Sequence, residues 1–179
     1  MSKGSTLNHR TFGIQEQSSK EICRALGATG VMTSSDAKRK FGTESFNELI
    51  NKNMVKTINL HSGRDVIQVL HLTDKGKEYT RKHITYGSLY TWNRMQLKHD
   101  LELNKIYLGL SKEERMTWQN ESQLRLFSKG EIQGIDGSYT KNGKRIAVEI
   151  VTPNYPASKL SEKIEIINEH FDGVEIRSV

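Results

Sequence analysis

Hydrophobic and polar positions along the 179-residue chain change period several times, and each change marks an element. Ser18-Ser19-Lys20-Glu21 has the form of a capping box. Ile22, Cys23 and Leu26 behind it predict a short helix that stops at Gly27. Ser34-Ser35-Asp36 predicts the start of a second helix over residues 37–41, closed by Gly42. Thr43 caps a third, in which Phe46, Leu49 and Ile50 fall at i, i+3 and i+4 and define one buried face. Ser45, Asn47, Glu48, Asn51 and Lys52 are left outward. The period then becomes two. Residues 54–61 and 66–72 predict strands around Ser62-Gly63-Arg64-Asp65, and Thr73-Asp74-Lys75-Gly76 opens a helix towards His83.

The second half has a different pattern. Trp92, Met95, His99, Leu103, Ile106 and Leu110 make a stripe, flanked by Leu97, Leu101, Asn104 and Leu108, so residues 92–110 predict a long helix with a wide buried face. That face covers the chain's own sheet or a second copy. His99 and Asn104 read as satisfied interior polar residues. Ser111-Lys112-Glu113-Glu114 caps a short turn, and residues 118–127 add aromatic and aliphatic bulk. Residues 131–137 and 144–152 predict strands joined at Asn142-Gly143, a strong hairpin signal. The second of them is apolar on both faces except for Glu149, which describes a central strand. After Pro153 and Pro156, Ser158 caps a helix with Leu160, Ile164, Ile167 and Phe171 inward, and residues 174–177 form a closing strand. The class expected is α+β, ending in an α/β unit on a mixed sheet.

Charge sharpens this division. The chain carries 27 Lys and Arg against 21 Asp and Glu, a net +6. Residues 1–90 hold 14 basic and 8 acidic residues, and residues 91–179 hold 13 of each, so the whole excess lies in the first half. The only cysteine, Cys23, excludes a disulfide framework and reads as a small buried hydrophobe. No apolar run is long enough to span a membrane, and the first residues lack a secretory pattern, so a cytoplasmic protein is expected. Phosphate-binding Gly-rich loops, zinc-protease motifs and nucleophile elbows are missing from the sequence.

Helix, helix, helix, hairpin, helix is the order of a winged helix-turn-helix. Leu72-Thr73-Asp74-Lys75-Gly76 resembles the segment that often closes the wing in bacterial members of that family. The resemblance implies a DNA-binding domain over residues 14–84, followed by an α/β domain over residues 92–179. The residue types agree with it. Thr43, Ser45, Asn47, Asn51 and Lys52 on the third helix can meet base edges in a major groove, Asn on adenine and Lys on guanine. Lys38, Arg39 and Lys40 before that helix can clamp the backbone, and Arg64 at the hairpin tip can reach a phosphate or the minor groove. Glu44 and Glu48 weigh against tight non-specific binding. Some winged helices dock proteins instead, so a protein-docking module is the alternative.

Asp136 and Glu149 pose the second question. Two carboxylates converging on a sheet can hold Mg2+ for phosphodiester hydrolysis. Their arrangement resembles the core of the restriction-endonuclease-like fold, an Asp followed by Glu-x-Lys on the next strand. Val151 stands where that lysine belongs. Lys144, Lys159 or Lys163 can substitute from a neighbouring position. Mg2+ is the only cofactor expected, and only if a Mg2+-dependent endonuclease using Asp136, Glu149 and Lys144 is the correct reading. A non-catalytic relative is the simpler account.

The second half also resembles the replication-relaxation family of plasmid and mobile-element proteins. His99 with Asn104, Trp118-x-x-Glu121-x-x-Leu124-Arg125, Asp136-Gly137 and Ala147-Val148-Glu149 carry that resemblance, with Ile135 where the family has Pro. It implies a double-stranded-DNA-binding accessory or regulatory protein serving replication, conjugative mobilisation or transcriptional control. A homodimer, and a relaxase or replication initiator as partner, are expected with it.

Overall fold

Start and stop signals in the first half become elements close to where the pattern puts them. The computed structural model describes residues 17–62, 65–85, 87–153 and 155–179. Among these the chain is mixed α+β, with eight α-helices and two sheets. Helix α1 (Gln17–Thr29) buries Ile22, Cys23, Ala25 and Leu26, and burial pushes the Cys23 thiol up to about 12. After the short β1 (Met32–Thr33), the Thr33 hydroxyl accepts from the Asp36 amide and caps α2 (Ser34–Phe41). Gly42, at φ 89°, ends α2 and leads directly into α3 (Thr43–Asn51). Thr43 is therefore the first residue of α3 rather than its side-chain cap. Strands β2 (Val55–Ser62) and β3 (Asp65–Leu72) pair antiparallel, β1 adds to the other edge of β3, and α4 (Asp74–His83) follows. Arg64, expected at the hairpin tip, lies outside the described residues.

The segment after β3 locks the hairpin against the end of α3. The Thr73 hydroxyl donates to the Asn53 carbonyl at 2.7 Å and accepts from the Gly76 amide at 3.1 Å. The Lys75 ammonium donates to the Lys52 carbonyl at 2.8 Å. A Cβ on Gly76 would lie 1.9 Å from the Met54 carbonyl oxygen, so only glycine admits this approach. Thr73, Lys75 and Gly76 of the motif thus each have a physical reason in the approach to residues 52–54.

In the second half the long helix begins later than its hydrophobic stripe. A 3₁₀ turn (Arg94–Gln96) precedes α5 (Leu97–Gly109), and Met95 is 91% exposed. The Asn93 side chain, accepting from the Met95 amide, starts that turn and displaces the first residues of the stripe. Helix α6 (Lys112–Met116) carries the expected capping box from Ser111 and Glu114. Then come β4 (Gln119–Asn120), α7 (Glu121–Phe127), β5 (Gly137–Lys141), β6 (Lys144–Val151), α8 (Ala157–His170) and β7 (Gly173–Ser178). The sheet order is β4-β5-β6-β7, mixed as expected, because β6 and β7 run parallel and the other pairs antiparallel. Residues 131–136 are not strand, contrary to the expectation. Left-handed positions at Lys129, Gly130 and Gly134 turn the chain there, and pairing with β6 begins only at Gly137. Asn142 and Gly143, both at positive φ, make the tight β5–β6 turn.

Strand β6 is central, and its two faces have different neighbours. Val148 and Ile150 pack into a core shared with Leu103, Ile106 and Tyr107 of α5 and with Ile22, Cys23 and Leu26 of α1. Ala147, on the opposite face, packs with Ile135, Leu124 and Ile167. One core therefore runs through both halves of the chain. Asn104 donates to Thr29 at 2.8 Å inside it, and the Lys40 ammonium donates to the Leu108 carbonyl at 2.6 Å beside it. The wide apolar face of α5 is filled by α1 and β6 from within the chain, so it is not free for a second copy.

Candidate functional site

Helix α3 presents a narrow exposed face. Its buried side chains are Ser45, Phe46 and Leu49, and its exposed ones are Thr43, Glu44, Asn47, Ile50 and Asn51. At 100° per residue the exposed five fall within about 120° of arc. Ser45, expected to face outward, is buried, and its carbonyl accepts from the Ser19 hydroxyl at 3.2 Å. Phe46 and Leu49 dock α3 on α1, and that docking turns Ser45 inward with them. Lys52 is half-buried and ion-paired with Glu48 at 2.7 Å, so the acid and the base offset each other. Lys38 and Arg39 are exposed on α2. The Lys38 ammonium lies 4.7 Å from the Phe46 ring centroid, and Arg39 pairs with Asp36. Lys40 is held on the Leu108 carbonyl, which directs it towards the second half.

The second arrangement is buried at the end of β6. Asp136, just before β5, accepts from the Ile150 amide at 2.7 Å and lies 3.2 Å from His99 Nε2. His99 Nδ1 lies 3.1 Å from Asp100, whose carboxylate also accepts from the Tyr90 hydroxyl at 2.9 Å and the Asn93 amide at 2.8 Å. Burial opposes a charge on His99, but the bonds and the attraction of the two carboxylates prevail and raise its pKa to about 10. It is an imidazolium near neutral pH, donating from both nitrogens. On the neighbouring position of the strand Glu149 is fully buried and pairs with Lys163 of α8. The Lys163 ammonium also lies 5.1 Å from the Tyr155 ring centroid.

Asp100, Asp136 and Glu149 outnumber His99 and Lys163 by one charge. Burial, and then repulsion from Asp136, push the Glu149 carboxyl above its ordinary range despite Lys163. Glu149 Oε2 is buried with no hydrogen-bond partner among the described residues. His99, Asp136, Glu149, Tyr155 and Lys163 border a cavity of about 790 Å³. Among the described residues no group of three or more His, Cys, Asp or Glu could hold a metal ion. Three carboxylate contacts that a cation would use are already taken, by the Ile150 amide, His99 and Lys163.

Of the three lysines weighed as substitutes, Lys163 meets Glu149. Lys144 is exposed at the hairpin turn, opposite Lys141, five positions along the strand from Glu149. Ile164, expected inward, is 41% exposed. Helix α8 is rotated so that Lys163 shares its inner face with Ile166 and Ile167. A signal for this was available, since Lys163 sits three residues after Leu160 and four before Ile167. Asp100 and Tyr90 had no such signal, because only the fold brings the segment before α5 against its first turn.

No protein-family model, curated protein or solved structure matches the chain.

Proposed function

We propose that the chain is a sequence-specific double-stranded-DNA-binding protein of the winged helix-turn-helix kind, an accessory or regulatory factor of a plasmid, phage or other mobile element. The observation that carries this reading is the exposed face of α3, with Thr43, Asn47 and Asn51 in one stripe on a helix braced by a hairpin. Asn pairs bidentately with adenine, and Thr and Ile side chains contact thymine methyl groups, so the face suits an A·T-containing major-groove site. Lys38 and Arg39 lie on the adjoining helix, where phosphates would flank the groove. The excess positive charge of residues 1–90 acts in the same sense. The mobile-element context rests on the resemblance of the second half to the replication-relaxation family.

The test is selection from a random duplex library by the full chain, followed by titration at increasing salt. One enriched motif, bound more weakly as salt rises, is expected. Retention of no motif favours the protein-docking reading.

A second reading is favoured by one specific observation, the buried Glu149 Oε2 without a partner beside Asp136 and Lys163. Under it, Asp136 and Glu149 would hold Mg2+ for phosphodiester cleavage after giving up their contacts with His99 and Lys163, and Lys163 would orient the attacking water. Supercoiled plasmid nicked by the chain with Mg2+, and left intact by Glu149→Gln, would support it. An intact plasmid with the parent chain removes it.

A further inference from the structure

A second pocket, of about 330 Å³, lies at the seam between the halves, formed by α1, the segment after α4, α5, α6 and α7. Its chemistry is the opposite of the carboxylate site. Arg24 and Arg115 are among the described residues that line it, and none of these is a carboxylate. Three of its lining residues, Tyr107, Arg115 and Trp118, carry a buried side-chain atom with no hydrogen-bond partner among the described residues, Oη, Nε and Nε1 respectively. Tyr107 is 1% exposed and Trp118 8%. Two of these three atoms can only donate, and the third is a hydroxyl that can. Burial pushes the Tyr107 phenol up despite the two arginines, so it remains protonated at neutral pH. Unpaired buried donors are costly, and three of them belong to residues of one cavity wall.

The rest of the wall is apolar and aromatic. Trp118 meets Tyr107 edge-to-face with centroids 5.4 Å apart, and Met116 and Phe127, both more than half exposed, frame the mouth. Arg24 pairs with Glu21 through one nitrogen, and Arg115 holds the Leu110 carbonyl through another. Each guanidinium has five N–H groups, so both keep donors for a ligand. The volume is that of the smallest class of ligand pockets.

We propose that this seam pocket binds a small ligand with a flat apolar body and one oxyanion, a phosphate or a carboxylate. The oxyanion would meet Arg24 and Arg115, and the body would lie against Trp118 and Phe127. The proposal is independent of DNA binding, since none of these residues belongs to α3. It also makes the pocket a point where a small molecule stiffens the joint between the halves.

The experiment uses the full chain in a Trp92→Phe background, so that Trp118 is the sole tryptophan emitter. Adenosine 5′-monophosphate, benzoate and inorganic phosphate are titrated separately while tryptophan fluorescence is followed. A saturable change is expected with the nucleotide or with benzoate, and which of the two responds identifies the source of the oxyanion. Arg24→Gln should weaken that response at least tenfold, and Phe127→Ser by about threefold, on the scale of a lost charge-assisted contact and of partial apolar cover. Arg115→Gln is informative only when its melting profile matches the parent's, because Arg115 also holds Leu110; Arg24→Gln and Phe127→Ser carry the test otherwise. Absence of a saturable change with both organic probes overturns the proposal. So does unchanged affinity in Arg24→Gln and Phe127→Ser. Inorganic phosphate binding as tightly as the nucleotide, with benzoate silent, also contradicts it, because the apolar wall would then contribute nothing.

Discussion

Polar side chains are used in opposite ways by the two ends of this molecule. On α3, Thr43, Asn47 and Asn51 stand in solvent. At the end of β6, Asp100, His99, Asp136, Glu149 and Lys163 are turned inward and paired with one another. Solvated amides and hydroxyls lose little on folding and remain available to a partner. Buried ions lose their hydration, and only close pairing restores it. The contrast separates an exposed polar face from a buried network of charges, and each makes a different mutational signature.

The largest effect should come from breaking the network at its most connected point. Asp100 is fully buried and accepts from Tyr90, Asn93 and His99. Asp100→Ala should destabilise the chain by about 3–5 kcal/mol, because the Tyr90 hydroxyl and the Asn93 amide lose their acceptor and His99 loses one of its two carboxylates. Urea unfolding monitored by circular dichroism measures it. A change below about 1 kcal/mol would mean that the network is not structural.

Lys163→Met comes next. It leaves Glu149 buried without its cation and should destabilise by about 2–4 kcal/mol, and adding Glu149→Gln should return more than half of that. Additive losses in the same urea assay would show that the two residues do not act as a pair.

Raising the pH titrates the same network. His99 has a folded pKa of about 10. Its unfolded value lies near ~6.5. The stability it contributes is complete below the lower value and disappears as pH rises through the upper one. The melting temperature should therefore fall between neutral pH and about pH 10, on the order of 10 °C for a chain of this size. His99→Gln should flatten that slope. An identical slope in the variant would assign the loss to other groups.

Much of this architecture was legible along the chain, and the losses have physical causes. The first half was readable because its signals are local. Gly42 ends α2, and the Thr73 hydroxyl caps α4 through the Gly76 amide, each within a few residues of where it stands. The second half was less so. Left-handed turns at Gly130 and Gly134 delay β5 to Gly137, and no hydrophobic pattern reports them. His99 was expected to be an interior polar residue, and its partners, Asp100 beside it and Asp136 beyond two further helices, gave no periodic sign. Ser45 shows the opposite failure, since an outward helical position was overruled by the docking of α3 on α1.

The smallest stability effect should belong to α3, where the double variant Asn47→Ala, Asn51→Ala is expected to shift unfolding by less than about 0.5 kcal/mol. Its effect on binding decides the central claim. The parent chain and this variant should be titrated side by side on the duplex motif recovered by selection, at about 0.15 M salt. At least a tenfold loss of affinity for the motif is expected in the variant, with binding to random duplex nearly unchanged. Equal affinity of parent and variant for the motif would contradict it.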